Sequence, residues 1–340
     1  MDNRHLRFKR RCSAVAKFTD FWCSTYVGFL SFLGIDVQAA NENARINIEL
    51  TRSPSPSPQS SFPDLLFRIF CKPGSTDSVI TTPPTYGMYA VCACVNDVTT
   101  IKVPLTPDFD LRVDDMLDAV TPTTKLMFVC SPGNPTSKLI PLADVERLAS
   151  SPKYNGIIIV DEAYIDFSSP ESSAVTLLSK YDNIVVLQTL SKAFGLAGAR
   201  CGFAVSKNEE IIQLMNNVKA PYNLSSLASE RAIIALNNTD VLAKNLEMIM
   251  SERERVKNEL IKIPFVVRVC VSHSNFLLFE LTDKAQEVYK YMADNGVVCR
   301  YKGSEMHCKG CLRVTVGTPN ENNQFLEGLR VGFKAMGGKV

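Results

Sequence analysis

Lys192 lies in Thr189-Leu190-Ser191-Lys192-Ala193-Phe194-Gly195-Leu196-Ala197-Gly198-Ala199-Arg200, after the apolar run Val185-Val186-Leu187 and before a turn relaxed by two glycines. A lysine so placed can take up an aldehyde once its ammonium loses a proton. Burial and a neighbouring guanidinium such as Arg200 lower the ordinary pKa of ~10.4 toward that state. Ser191 and Arg200 offer a hydroxyl and a planar fork to phosphate oxygens. Asp161 ends a second apolar run, Ile157-Ile158-Ile159-Val160, where a carboxylate can keep a pyridine nitrogen protonated. A third run, Leu126-Met127-Phe128-Val129-Cys130, leads into Ser131-Pro132-Gly133-Asn134-Pro135-Thr136, a turn that fixes Asn134 at the same edge. With Tyr164, Asn134 can hydrogen-bond a ring oxygen. A deprotonatable amine, an acid, two ring-oxygen partners and a phosphate fork are what pyridoxal 5'-phosphate requires.

Each of these residues has a plainer use: an isolated Ser-Lys is ordinarily a loop dipeptide, a strand-end aspartate a helix cap, an Asn-Pro a turn. What sets them apart is their delivery by three successive buried strands to the carboxyl edge, where ligands bind in open α/β sheets. The surrounding pattern predicts those strands. Residues 64–70 form an amphipathic helix halted by Cys71-Lys72-Pro73-Gly74, residues 79–80 a strand, and residues 91–95 a further apolar segment. Strands and helices alternate to about Val256, which predicts an α/β large domain with a mostly parallel sheet flanked by helices. A charged helix over 239–263 leads into strands at 266–271, 275–281 and 311–316 and helices at 285–295 and 321–336, a smaller α+β domain. The expected division is 1–61, 62–256 and 257–340, with no internal repeat.

The chain resembles the fold-type I pyridoxal-phosphate aminotransferases and, within them, the histidinol-phosphate aminotransferases. The resemblance covers residues 64–326. It rests on Pro83-Pro84-Thr85-Tyr86-Gly87-Met88-Tyr89, Asp161-Glu162-Ala163-Tyr164, the Lys192 segment, Ala220-Pro221-Tyr222-Asn223-Leu224-Ser225, Ser274-Asn275-Phe276 and Cys311-Leu312-Arg313-Val314-Thr315-Val316-Gly317-Thr318. It implies that Lys192 is the Schiff-base lysine, that Asp161 partners the pyridine nitrogen, and that Asn134 and Tyr164 flank the ring oxygen. Tyr86 would stack on the ring, and Ser191 and Arg200 would hold the phosphate. Arg313, assisted by Arg300, would take the anionic group of the substrate, while Asn223 and Asn275 line the pocket less directly. Arg300 and Arg313 are each as readable as solvated surface arginines, with the strand-like setting of Arg313 slightly favouring function. The implied reaction is transamination of L-histidinol phosphate with 2-oxoglutarate, giving imidazole-acetol phosphate and L-glutamate in histidine biosynthesis, by a homodimer. Neighbouring activities with similar machinery are aromatic-amino-acid transamination and threonine-phosphate decarboxylation.

Composition agrees with a globular enzyme of small molecules. The 340 residues are 46% hydrophobic with a net charge of +2, which calls for neither nucleic acid nor an acidic membrane as partner. The three histidines, His5, His273 and His307, stand in no nucleophile-elbow context, which argues against a hydrolase triad. Eleven cysteines scatter without a regular framework, as expected of reduced thiols in the cytoplasm. Cys308 and Cys311 form one Cys-x-x-Cys without a second pair, so no metal is expected.

The front of the chain departs from the family pattern. Residues 1–20 are basic and acid-poor, one reading of which is a mitochondrial transit peptide, and 21–37 are apolar but too interrupted to span a bilayer. Asn41-Glu42-Asn43 matches an amino-terminal family motif. The Gly-Ser/Ala-Asp-Glu turn that meets the cofactor phosphate in relatives is replaced by Pro58-Gln59-Ser60-Ser61, in a proline-interrupted segment expected to be poorly ordered. This leaves a second reading: a mis-spliced or catalytically impaired derivative that retains the fold.

Overall fold

The computed structural model describes residues 62–221 and 223–338. The expectations for residues 1–61, including the poorly ordered segment, the transit peptide and the replaced turn, lie outside the described residues, as does Tyr222.

Helix α1 (Phe62–Phe70) ends before Pro73 and Gly74, the latter at φ +64°, and the chain enters β1 (Ser78–Thr81), α2 (Met88–Val95) and β2 (Thr99–Lys102). It continues through α3 (Val113–Asp118), β3 (Thr124–Cys130), α4 (Leu142–Ala149), β4 (Ile157–Asp161), β5 (Ile184–Thr189) and β6 (Gly202–Val205). These strands form one sheet in the order β2-β1-β3-β4-β5-β6, parallel throughout except for the antiparallel edge strand β6.

The near-continuous apolar runs of β3 to β5 follow from burial on both faces. Met127, Val129, Ile158, Val160 and Val186 join one core cluster, while the alternate residues Leu126, Phe128, Ile159, Val185 and Leu187 join the other, under α1, α2 and the helix α5 (Glu209–Val218). Two strands of this sheet escape the sequence pattern. β2 is a half-exposed Thr-Thr-Ile-Lys edge, and β6 opens on glycine, so neither carries a long apolar run. The apolar segment at 91–95 is the end of α2, since a short run without clear period fits helix or strand equally.

Helix α6 (Ser226–Leu236) leads to α7 (Thr239–Ile261), inside which the change of texture at Lys257 falls. Beyond it come β7 (Val266–Val269), β8 (Phe276–Leu281), α8 (Ala285–Asp294), β9 (Arg300–Tyr301), β10 (Cys311–Thr315) and α9 (Pro319–Ala335). Helix α9 starts two residues earlier than its periodicity predicts, because Thr318 and Glu321 close a capping box and Pro319 suits the first turn. The second sheet is antiparallel, in the order β7-β8-β10-β9. Its outer face, with Leu277, Phe279, Leu312 and Val314, packs on α7, α8 and α9. Its inner face, with Phe276, Leu278 and Cys311, joins the core of the larger sheet. Since alternate residues of a strand share a face, Arg313 lies on the face of Cys311, toward that sheet.

Candidate active site

At the carboxyl edge of the parallel sheet lies a cavity of about 430 Å³, within the range of ~300–1,000 Å³ usual for small-molecule sites. β3, β4 and β5 are neighbours, so the turn after β3, the end of β4 and the loop after β5 bring Asn134, Asp161 and Lys192 to its wall. Tyr86, Tyr164, Ser191, Arg200 and Arg313 line the same cavity. Arg300, Asn223 and Asn275 are outside that lining. Arg300 is exposed, opposite Arg313 in the β9–β10 pair. Asn275 is half-buried just before β8, its carbonyl accepting from the Val316 N–H, and Asn223 is half-buried in the turn ahead of α6. Of the residues expected to meet substrate, the structure brings Arg313 to the wall.

Arg313 belongs to the second sheet and yet is tied to the first. Its Nη1 donates to Asn134 Oδ1 at 2.6 Å, and its guanidinium lies 4.7 Å from the centre of the Phe276 ring. Engaging the amide oxygen leaves the Asn134 N–H groups for other acceptors. The Arg313 Nε is buried with no hydrogen-bond partner, a donor set that an anion would complete.

Lys192 reaches solvent through the mouth of the cavity, with its Nζ 5.3 Å from the centre of the Tyr164 ring. Partial burial lowers its pKa, and the positive charges of Arg313 and Arg200 lower it further, against the pull of Asp161. Tyr164 is pushed up to about 12, first by burial, so its hydroxyl stays a donor, with Arg313 opposing. Burial likewise raises Asp161, and the hydroxyl of Tyr89, the N–H of Ala163 and the charge of Lys192 oppose that rise.

Several lining or supporting residues are absent from the sequence expectations. Tyr89, wholly buried on α2, donates its hydroxyl to Asp161 Oδ2 at 2.6 Å. Its signal was its place three residues after Tyr86, in the turn that enters α2. Thr189 Oγ1 accepts from the Ser191 N–H at 3.1 Å and lies 2.9 Å from Ser191 Oγ, fixing that hydroxyl at the cavity. Arg200 holds the left-handed conformation, φ 54°, with Nη1 donating to the Ala197 carbonyl at 3.1 Å. Phe62 and Pro63 at the start of α1 and Gly202 on β6 also line the cavity. A Cβ on Gly202 would stand 2.8 Å from the Gln188 carbonyl oxygen and 3.2 Å from the Phe62 ring, so this close approach requires glycine. Among the described residues no cluster of histidine, cysteine and acidic side chains is gathered for a metal ion, and no helix is long and apolar enough to cross a membrane.

The profile of the family described as aminotransferase class I and II matches residues 60–329. The histidinol-phosphate aminotransferase of Cytophaga hutchinsonii is 43% identical over 267 residues, covering 78% of this chain and 75% of that protein. That of Schizosaccharomyces pombe is 42% identical over 284 residues, covering 79% and 73%. Among solved structures, the histidinol-phosphate aminotransferase from Clostridium acetobutylicum superposes with a TM-score of 0.77 at 23% identity, covering 96% of this chain and 95% of that one. The enzyme from Sinorhizobium meliloti, solved in complex with pyridoxal-5'-phosphate, gives 0.73 at 21% identity, covering 81% and 75%. The structural likeness is one of fold.

Proposed function

The chain belongs to the class I and II aminotransferases, and from that membership we propose that it transfers the amino group of L-histidinol phosphate to 2-oxoglutarate, with pyridoxal 5'-phosphate as cofactor. The observation that carries the reading is the meeting of Lys192, Asp161 and Arg313 on one cavity, with the buried Arg313 Nε lacking a partner. Imidazole-acetol phosphate and L-glutamate are the products. The substrate rests on the names of the relatives at about 40% identity.

The residues present fit the cofactor. Asp161 supplies a carboxylate for a ring nitrogen, Asn134 and Tyr164 supply donors for a ring oxygen, Tyr86 an aromatic face, and Ser191 and Arg200 partners for the phosphate. When bound, pyridoxal phosphate supplies a protonated ring that accepts the electron pair of a breaking carbon–hydrogen bond. Lys192, with its lowered pKa, can be neutral at a pH where a free lysine is charged. Its neutral amine would be the group to hold an aldehyde there and, when free, to accept a proton at the cavity wall. Asp161 would face the ring nitrogen, where its carboxylate, supported by the Tyr89 hydroxyl, would hold a proton. Arg313 binds the phosphate of one substrate and the carboxylate of the other, since its planar fork matches both. Likeness to the family supports a homodimer, and the irregular spacing of the cysteines supports a cytoplasmic location.

A second reading, a fold-retaining protein with weakened cofactor hold, is favoured by Phe62 and Pro63. They present a phenyl ring and an N–H-free residue where a helix start could offer amides. The test is purified protein with added pyridoxal phosphate. A coloured adduct that histidinol phosphate bleaches and phenylalanine does not, with 2-oxoglutarate-dependent glutamate formation, supports the proposal. Bleaching by phenylalanine alone favours the aromatic transaminase, and no adduct at saturating cofactor sinks both enzymatic readings.

A further inference from the structure

We infer that Tyr89 is a positioning residue of the reaction: its hydroxyl holds the Asp161 carboxylate as an oriented, weakened base, so that the proton shared with the cofactor rests on the ring nitrogen. This rests on the proposed pyridoxal-phosphate reading of the cavity.

The geometry leaves Asp161 few other partners. Oδ2 accepts the Tyr89 hydroxyl at 2.6 Å, the length of a charge-assisted O–H···O bond, whereas Oδ1 accepts only a long bond of 3.3 Å from the Ala163 N–H. Oδ1 is thus the oxygen with capacity to spare, on a side chain that lines the cavity. Tyr89 itself is fixed from two sides. Its ring stacks on Phe128 of β3 at 4.6 Å and meets the edge of Tyr86 at 5.6 Å, and none of its surface is exposed. The turn that leads into α2, closed by the Tyr89 N–H donating to the Tyr86 carbonyl at 3.2 Å, therefore provides Tyr86 on the cavity and a hydroxyl beneath the acid.

The other groups that act on Asp161 do not duplicate this. Lys192 draws it toward the anion from across the cavity, and the Tyr86, Tyr164 and Cys130 side chains nearby are neutral acids whose ionisation burial suppresses. A carboxylate half-buried without a donor becomes more basic. A more basic Asp161 would take the shared proton from the ring nitrogen and leave a neutral pyridine, a poorer electron acceptor. Tyr89 opposes that transfer by stabilising the carboxylate, as a hydrogen bond to a charged acceptor does.

The test uses the holoprotein loaded with pyridoxal phosphate carrying ¹⁵N in the ring, and the Tyr89→Phe variant, which keeps the buried ring. We expect the ring-nitrogen resonance of Tyr89→Phe to move toward the neutral-pyridine position. We also expect kcat to fall about tenfold with KM for histidinol phosphate unchanged, and affinity for the analogue with CH in place of the ring nitrogen to be preserved. Replacing Tyr89 by 3-fluorotyrosine, a stronger donor of nearly the same shape, moves the resonance the opposite way and keeps the question answerable if the phenylalanine variant folds poorly. An unmoved resonance in a well-folded variant, or equal loss of affinity for both cofactors, overturns the role of Tyr89 alone. Failure of the wild-type chain to take up the cofactor overturns the underlying reading and this inference with it.

Discussion

Arg313 Nη1 stands 2.6 Å from Asn134 Oδ1, so a residue of the second sheet orients an amide at the edge of the first. An anionic substrate that engages Arg313 is thereby sensed at Asn134, next to the ring oxygen it is proposed to hold. Arg313→Met removes the anion partner and frees the amide to rotate. We expect kcat/KM for histidinol phosphate to fall by about 100-fold or more, the loss of roughly 3 kcal/mol of charge-assisted binding, with KM carrying most of the change. Steady-state kinetics with both substrates check it: an unchanged KM for each would remove Arg313 from the binding site.

Lys192→Ala abolishes covalent uptake of the aldehyde and removes the proton-transfer group. The coloured adduct should be lost and turnover reduced by at least about 10⁴-fold, the upper end of general acid–base contributions. Absorbance and turnover at saturating cofactor decide this, and equal colour in variant and wild type contradicts the assignment.

Glu162, wholly enclosed behind β4, is pushed up to about 7, first by burial, although Gln188, Ser173 and the Ala174 N–H all donate to it. Its folded pKa lies above its ordinary value of 4.5, so the folded state binds its proton more tightly than the unfolded chain. Its contribution to stability is fully present below the ordinary value and is lost as pH rises through about 7. Asp166, also raised to about 7 by burial, adds in the same sense. Urea midpoints at about pH 5.5 and pH 8 should differ less in Glu162→Gln than in wild type, one fully coupled proton being worth about 1.4 kcal/mol per pH unit. An identical pH slope in the two proteins would refute the assignment.

Arg253, buried on α7, donates from Nη1 to the Ser274 carbonyl at 2.9 Å and to the Phe167 carbonyl at 3.3 Å. It clamps the turn after β4 to the segment before β8. Arg253→Met strips the Phe167 carbonyl of this donor and leaves the Ser274 carbonyl only the long 3.4 Å bond from Ser272 Oγ, at a cost of about 1–3 kcal/mol in all. The denaturant midpoint should drop with little change in slope; a drop under about 0.5 kcal/mol would mean that water replaces the guanidinium.

Gly202→Ala forces a methyl against the Gln188 carbonyl and the Phe62 ring. We expect about 1–3 kcal/mol of destabilisation together with weaker cofactor uptake, because the shifted backbone carries the cavity wall. Thermal melts and absorbance titration check the pair of effects, and loss of only one of them separates wall from scaffold.

Much of this site was legible because burial on both faces leaves long apolar runs in β3, β4 and β5, and the residue or turn that follows each run then falls at the sheet edge. Lys192, Asp161 and Asn134 were found in that way. The edge strands β2 and β6 carry no such run. Tyr89 was hidden because its residue type reads as core packing, and only the fold brings its hydroxyl under Asp161, 72 residues away. Arg313 was preferred to Arg300 for its strand-like setting; strand pairing sets them opposite one another, and of the two only Arg313 is part of the cavity wall.

Phe276, Leu278 and Cys311 of the second sheet belong to the same apolar cluster as Val129, Val160 and Val186 of the first. The two halves thus share one apolar core along this seam, and the candidate pocket opens beside it. Parting the second sheet from the first would therefore expose this shared apolar core to water.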